Sequence, residues 1–164
     1  MTDSEFRKVA VEDLPDAPNP TRHKKEVDEA VGATEFGFNV YLADPGQQLP
    51  WGEHRHPDHE ELLYVVEGEI RVETPDGDYD VGTGEAFFVP PEAKQRTVAT
   101  GEGPARVIAV GAPKADDGAV IEERCPECGD ETDRDYEERD GGDTYVLYCG
   151  DCGAEVRRMT AGPE

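Results

Sequence analysis

The sequence predicts an all-β chain: a double-sheet jelly roll with a small four-cysteine appendage at its C-terminal end. Three observations predict it. From residue 35 to residue 113, short β-branched and aromatic runs recur at near-regular spacing. Turn clusters such as Thr74-Pro75-Asp76-Gly77-Asp78 and Gly101-Glu102-Gly103-Pro104 separate them, as in a sandwich or closed barrel. Within that region His54 and His56 stand two apart, with Glu61 following. All four cysteines fall in two Cys-x-x-Cys pairs near the C-terminal end.

Residues 1–34 read as an N-terminal arm, because Pro15, Pro18 and Pro20 sit among polar residues. A short helix is expected over Thr21 to Val31, capped by Thr21 or Asp28 and ended by Gly32. Residues 35–113 form the barrel. Its strands are Phe36 to Leu42, the His-bearing segment, Leu62 to Val66, Ile70 to Glu73, Tyr79 to Val81, Ala86 to Val89, Arg96 to Ala99 and Ala105 to Val110. The Leu and Val content of Leu62 to Val66 fits a strand buried on both faces, with Glu67-Gly68 as its turn. Alternation places Leu63 and Val65 inward with Glu61, and Thr97 inward with Gln95, as candidate pocket residues. The same rule turns Arg96 outward. Phe87, Phe88 and Trp51 read as core. Residues 114–118 are a linker and residues 119–164 the appendage.

Side chains at i and i+2 of a strand share a face, so His54 and His56 reach one ion and Glu61 from the next strand completes an N,N,O set. The segment from His54 through Glu61 to Gly68 resembles the first motif of the cupin superfamily, with its leading glycine displaced to Gly46. The second motif resembles Gly84 through Pro90 to Gln95. Glu92 stands at its turn glycine and Gln95 at its last metal-binding histidine. The resemblance covers roughly residues 35–113 and implies a cupin jelly-roll barrel with a metal on His54, His56, Glu61 and Gln95. An amide oxygen is a weaker donor than imidazole. The set therefore suits a five- or six-coordinate Mn, Fe, Ni or Zn ion completed by water, and makes redox chemistry on oxygen less favoured. His59, in the Pro57 to Glu60 turn, is a substitute donor whose plain reading is a solvent-facing turn residue.

Cys125-Pro126-Glu127-Cys128 and Cys149-Gly150-Asp151-Cys152 are separated by twenty residues. Each makes a tight knuckle presenting two thiolates, and a hairpin between them assembles a tetrahedral site. The turn cluster Asp140-Gly141-Gly142-Asp143 and the strand Thr144 to Tyr148 supply that hairpin. This looks like a zinc ribbon holding structural Zn on Cys125, Cys128, Cys149 and Cys152. Disulfides or a redox dithiol are the alternatives, disfavoured by the absence of a secretion signal and of a βαβ context.

The 164 residues hold one modest domain plus an appendage, and 35% hydrophobic content leaves neither with a large core. The N-terminus MTDSEFRKVAVEDL lacks a signal-peptide layout, and no apolar stretch approaches membrane-spanning length. The expectation is a cytoplasmic chain with no membrane partner. There are 39 acidic against 16 basic residues, a net charge of −23, and the appendage alone carries −9. Such a surface repels nucleic acid. With five lysines and dispersed acids, the composition resembles halophilic archaeal proteins.

Two functional readings stay open. In one, the barrel binds a small organic ligand and a metal while the zinc ribbon docks a protein partner. In the other, the cupin resemblance implies a metal-dependent isomerase, decarboxylase, lyase or dioxygenase acting on a small acid or sugar. No inward His, Lys or Tyr beyond the ligands is identifiable as a general acid or base. A homodimer, with the N-terminal arm adding a strand across it, is a further expectation.

Overall fold

A computed structural model describes residues 5–160; residues 1–4 of the predicted arm and 161–164 of the predicted ribbon lie outside the described residues. The strands are β1 (His23–Glu26), β2 (Gly37–Ala43), β3 (Gln48–Arg55), β4 (Glu60–Glu67), β5 (Glu69–Thr74), β6 (Gly77–Gly82), β7 (Ala86–Val89), β8 (Gln95–Ala99) and β9 (Ala105–Ala112). Then come β10 (Val120–Arg124), β11 (Glu131–Arg139), β12 (Thr144–Cys149) and β13 (Glu155–Thr160), and one helix, α1 (Val27–Val31), follows β1. Two antiparallel sheets result, ordered β1-β2-β9-β4-β7 and β13-β12-β11-β10-β3-β8-β5-β6.

The first sheet packs against β3, β8, β5 and β6 of the second to make the jelly-roll core. Tyr41, Leu63, Val65 and Val107 come from one layer and Leu49, Ile70, Val72 and Val81 from the other. Burying each such aliphatic side chain contributes about 1.5–3 kcal/mol. Gly68 closes the β4–β5 turn at φ +86, where an added Cβ would lie 2.7 Å from the Ala105 Cα. Only glycine meets both demands, which accounts for the glycine that ends the first motif.

Three expectations change here. The strand Leu62 to Val66 is buried on one face only: Leu63 and Val65 point into the core, whereas Leu62, Tyr64 and Val66 are about 40% exposed. Phe88, read as core, is also exposed; it pairs with Leu62 on that outer face. The expected helix over Thr21 to Val31 is instead β1 followed by the short α1, with Glu26 at the N-cap and no side-chain cap. Gly32 does end it. Within the chain, β1 pairs with β2.

The appendage continues the second sheet. Strand β10 pairs with β3, setting Val120 opposite Arg55 and Ile121 opposite His54. The Glu123 carboxylate accepts the Glu53 N–H at 2.8 Å. Trp51 of β3 packs with Tyr136 and Tyr145 at centroid distances of 5.5 and 5.0 Å. It thereby joins the second cluster of Ile121, Leu147 and Met159. No helix among the described residues is long and apolar enough to cross a membrane.

Candidate metal centre and pocket

His54 and Gln95 face each other across the β3–β8 pair, both buried. The His54 Nδ1 lies 2.7 Å from the Gly52 carbonyl oxygen, so Nδ1 carries the proton and donates it, leaving Nε2 as an acceptor. The Gln95 amide nitrogen stands 3.4 Å from that Nε2. Its carbonyl oxygen accepts from the Thr97 hydroxyl at 2.7 Å. Burial holds His54 below its ordinary pKa against the opposing pull of Glu61.

His56 follows the end of β3 and is buried. Its Nε2 lies 3.4 Å from Glu61 Oε2 and its Nδ1 lies 3.0 Å from Asp117 Oδ1. Neither buried nitrogen makes a hydrogen bond of good geometry. Burial would push His56 down, yet Asp117 and Glu61 outweigh it and raise its pKa to about 9. Burial likewise favours the neutral form of Asp117, but His56 and His59 hold its pKa below the usual carboxylate value.

His59 corrects a sequence expectation. It is 3% exposed, because the turn after β3 folds inward. Its Nδ1 lies 2.9 Å from the Pro113 carbonyl oxygen, which again leaves Nε2 free to ligate. One donor atom from each of His56, His59 and Asp117 lies within 4.8 Å of the others. The ring centroids run 5.1 Å from His54 to His56 and 4.9 Å from His56 to His59. One nitrogen from each of His56 and His59, with an Asp117 carboxylate oxygen, makes a donor set that fits a divalent cation.

The space for His59 is made by Gly111 of β9: a methyl there would overlap the His59 imidazole. Gly111→Ala is therefore expected to turn His59 out and weaken divalent-ion binding by about tenfold or more. Calorimetric titration of the variant with Ni2+, beside a circular dichroism spectrum to show that the barrel persists, checks it.

Asn39, Tyr41, Leu63 and Thr97, together with Glu61 and Gln95, line a small cavity of about 40 Å3. At its mouth a wider pocket of about 300 Å3 includes Lys24, Trp51, His56, Asp117 and Tyr136. Val65 lies in the core below this lining. Sequence reasoning missed Tyr41 and Asn39. The Asn39 Oδ1 is buried without a partner. Burial keeps the Tyr41 phenol well above its usual pKa and so protonated. Arg96 lies outward as expected, bonded to Gln48 and Glu73. Glu92, at the motif's turn glycine, takes φ +68. There its carboxylate pairs with Arg55 at 2.9 Å and its N–H donates to the His56 carbonyl at 2.8 Å. A left-handed non-glycine residue costs roughly 1–2 kcal/mol, offset in part by those two bonds.

The four cysteines are free and converge. Sγ separations are 3.8 Å for Cys125 to Cys152 and 3.9 Å for Cys128 to Cys149. Zn–S bonds of about 2.3 Å arranged tetrahedrally have edges of about 3.8 Å. Both knuckles repeat one pattern, with Gly129 and Gly153 N–H donating back to the Cys125 and Cys149 carbonyls. Backbone N–H groups and the Thr132 hydroxyl draw Cys149 down to about 6. At Cys128 the Asp130 N–H favours the thiolate, but burial and the neighbouring sulfurs push it up to about 12. Four thiolates cannot ionise together without a cation between them.

Residues 39–111 match the Cupin domain family. The chain is 32% identical over 112 residues to Protein SchB of Streptomyces halstedii, covering 66% of this chain and 78% of that protein. The polyketide cyclase RemF of Streptomyces resistomycificus superposes with a TM-score of 0.57 at 23% identity over 67% of this chain and 81% of that one. A cupin-superfamily sugar phosphate isomerase of Silicibacter pomeroyi does so with a TM-score of 0.58 at 18% identity over 92% of each.

Proposed function

The chain belongs to the cupin family, and from that premise we propose that it is a metal-binding cupin whose barrel takes a small, oxygen-rich organic ligand at the ion. The observation that carries this reading is His56, whose two buried nitrogens lack hydrogen bonds while carboxylates stand on either side. His54, His56 and Glu61 are the barrel's donors, with Gln95 beside them as the sequence predicts. The ion is Mn, Fe, Ni or Zn, and when bound it supplies Lewis acidity to a ligand oxygen. Asn39 Oδ1 would accept a ligand hydroxyl and the protonated Tyr41 would donate to a ligand oxygen. Leu63 and Thr97 would bound the ligand on its buried side, above Val65. The ribbon holds a structural zinc on its four cysteines and docks a protein partner.

The enzyme reading gains from one observation, a buried and protonated Tyr41 lining the same cavity as Glu61. That places a proton donor where isomerisation or cyclisation of a carbonyl compound would need one.

Elemental analysis of the full chain, beside His54→Ala/His56→Ala, tests the metal reading. Two metals per wild-type chain and one per variant are expected. A wild-type chain carrying zinc alone, unchanged in the variant, would leave the barrel without a metal function.

A further inference from the structure

We infer that the barrel's metal centre is shifted toward the mouth and completed by His59 and by Asp117, a carboxylate delivered from the segment that leads into the ribbon. This rests on the metal-binding reading above and changes its donor set. Gln95 is already engaged: its oxygen takes the Thr97 hydroxyl at 2.7 Å and its amide nitrogen faces His54 Nε2. An oxygen so held is poorly placed to replace a histidine nitrogen. On the mouth side the donors stand open instead. His59 Nε2 is freed by the Nδ1 bond to Pro113. Asp117 Oδ1 is 3.0 Å from His56 Nδ1 and 3.8 Å from His59 Nε2. Neighbouring donors around an ion with bonds of about 2.1 Å lie roughly 3.0–3.4 Å apart, so the cluster needs only slight contraction.

Charge points the same way. The Asp117 carboxylate would offset part of a divalent cation's charge, and a hard oxygen donor in place of an amide favours Mn2+ as well as Ni2+. The position of Asp117 is fixed from both sides. Lys114, three residues before it, ties to Asp28 at 2.8 Å and Glu29 at 2.9 Å. Strand β10, three residues after it, pairs with β3 beside His54. The ribbon's attachment therefore sets a ligand of the barrel.

The test uses the full chain with its cysteines loaded with zinc, titrated with Mn2+ and followed by loss of the free-ion electron paramagnetic resonance signal. Manganese does not displace zinc from thiolates. Asp117→Asn and His59→Ala are each expected to weaken Mn2+ binding by about tenfold or more, and Gln95→Ala by less than about threefold. Asp117 is half exposed, so its substitution leaves the fold in place. Asp117→His separates a ligand from a mere ion-pair partner: an imidazole still binds Ni2+, but cannot pair with His56. Retention of Ni2+ binding in Asp117→His supports ligation. Wild-type binding in Asp117→Asn and His59→Ala, with loss in Gln95→Ala, overturns this inference and leaves the metal reading standing. A wild-type chain that holds one zinc, on its cysteines, and takes up neither Mn2+ nor Ni2+ beyond it sinks the metal reading itself.

Discussion

Chelating the zinc proposed for Cys125, Cys128, Cys149 and Cys152 is expected to unfold β11, β12 and β13 while the jelly roll stays folded. The two units differ in what holds them. The barrel core has twelve buried apolar residues, whereas the ribbon cluster has three, Ile121, Leu147 and Met159, with Trp51, Tyr145 and Val156 half-buried around them. Three buried side chains contribute roughly 5–9 kcal/mol in all. Fixing the backbone costs about 1–2 kcal/mol for each residue ordered, and β11 alone spans nine residues. Structural zinc supplies about 10–16 kcal/mol at neutral pH, more than those three side chains together. Limited proteolysis and amide hydrogen exchange with and without a chelator provide the measurement. Protection should vanish from Thr144–Cys149 and Glu155–Thr160 and persist in Glu60–Glu67. Unchanged exchange in β12 after metal removal would show that the β10–β3 pairing and Trp51 hold the ribbon by themselves. Cys149→Ser should reproduce the chelated state.

Much of the fold could be read because strand period and turn chemistry are local. Thr74 to Gly77 folds as the turn its residues specify, with the Thr74 hydroxyl donating to the Gly77 carbonyl at 2.7 Å. The cysteine pairs state their own geometry through spacing. What stayed hidden depends on contacts distant in sequence. In β2 the apolar residues Phe38, Val40 and Leu42 suggest the inward face, yet Tyr41 and Ala43 are the buried ones. The segment before β1 lies over the other side, where Val11 and Glu12 line one groove with Val40, Leu42 and His23. Pattern alone cannot say which face another segment will cover. His59 read as a turn residue because nothing near it in sequence reveals Gly111, the glycine that leaves room for its ring. Asp117 read as one acid of a polar linker; its place beside His56 follows from the pairing of β10 with β3. The displaced donors and the silent second-motif position belong together. Where Gln95 gives up the imidazole, His59 within the first motif and Asp117 beyond the second bring an imidazole and a carboxylate to the same mouth.

The chain's thermal midpoint is expected to fall by about 10 °C or more when it is moved from molar KCl to dilute buffer. The physical reason is the surplus of acids: 39 acidic residues share 16 cations, and individual cations already serve several carboxylates. Lys94 is the clearest case, with its ammonium 2.9 Å from Glu53, 3.0 Å from Glu122 and 3.7 Å from Glu131. Burial would lower its pKa, but Glu53 and Glu122 dominate and raise it further above the usual lysine value. These carboxylates come from β3, β10 and β11, so a single ammonium holds three acids together at the seam between barrel and ribbon. Other acids have no such partner and repel one another. At 1 M salt the screening length is about 3 Å, against about 30 Å at 0.01 M, so in dilute buffer the whole surface acts on itself. For a chain of this size about 1 kcal/mol corresponds to about 2–4 °C, and the predicted shift therefore represents roughly 3–5 kcal/mol of released repulsion. Comparing KCl with NaCl at equal ionic strength separates screening from ion-specific effects, since screening alone gives equal midpoints. The seam should yield first, with Trp51 fluorescence changing at lower temperature than the loss of barrel circular dichroism. A midpoint indifferent to KCl would mean that the acids are dispersed widely enough not to oppose folding, and that the composition has no part in stability.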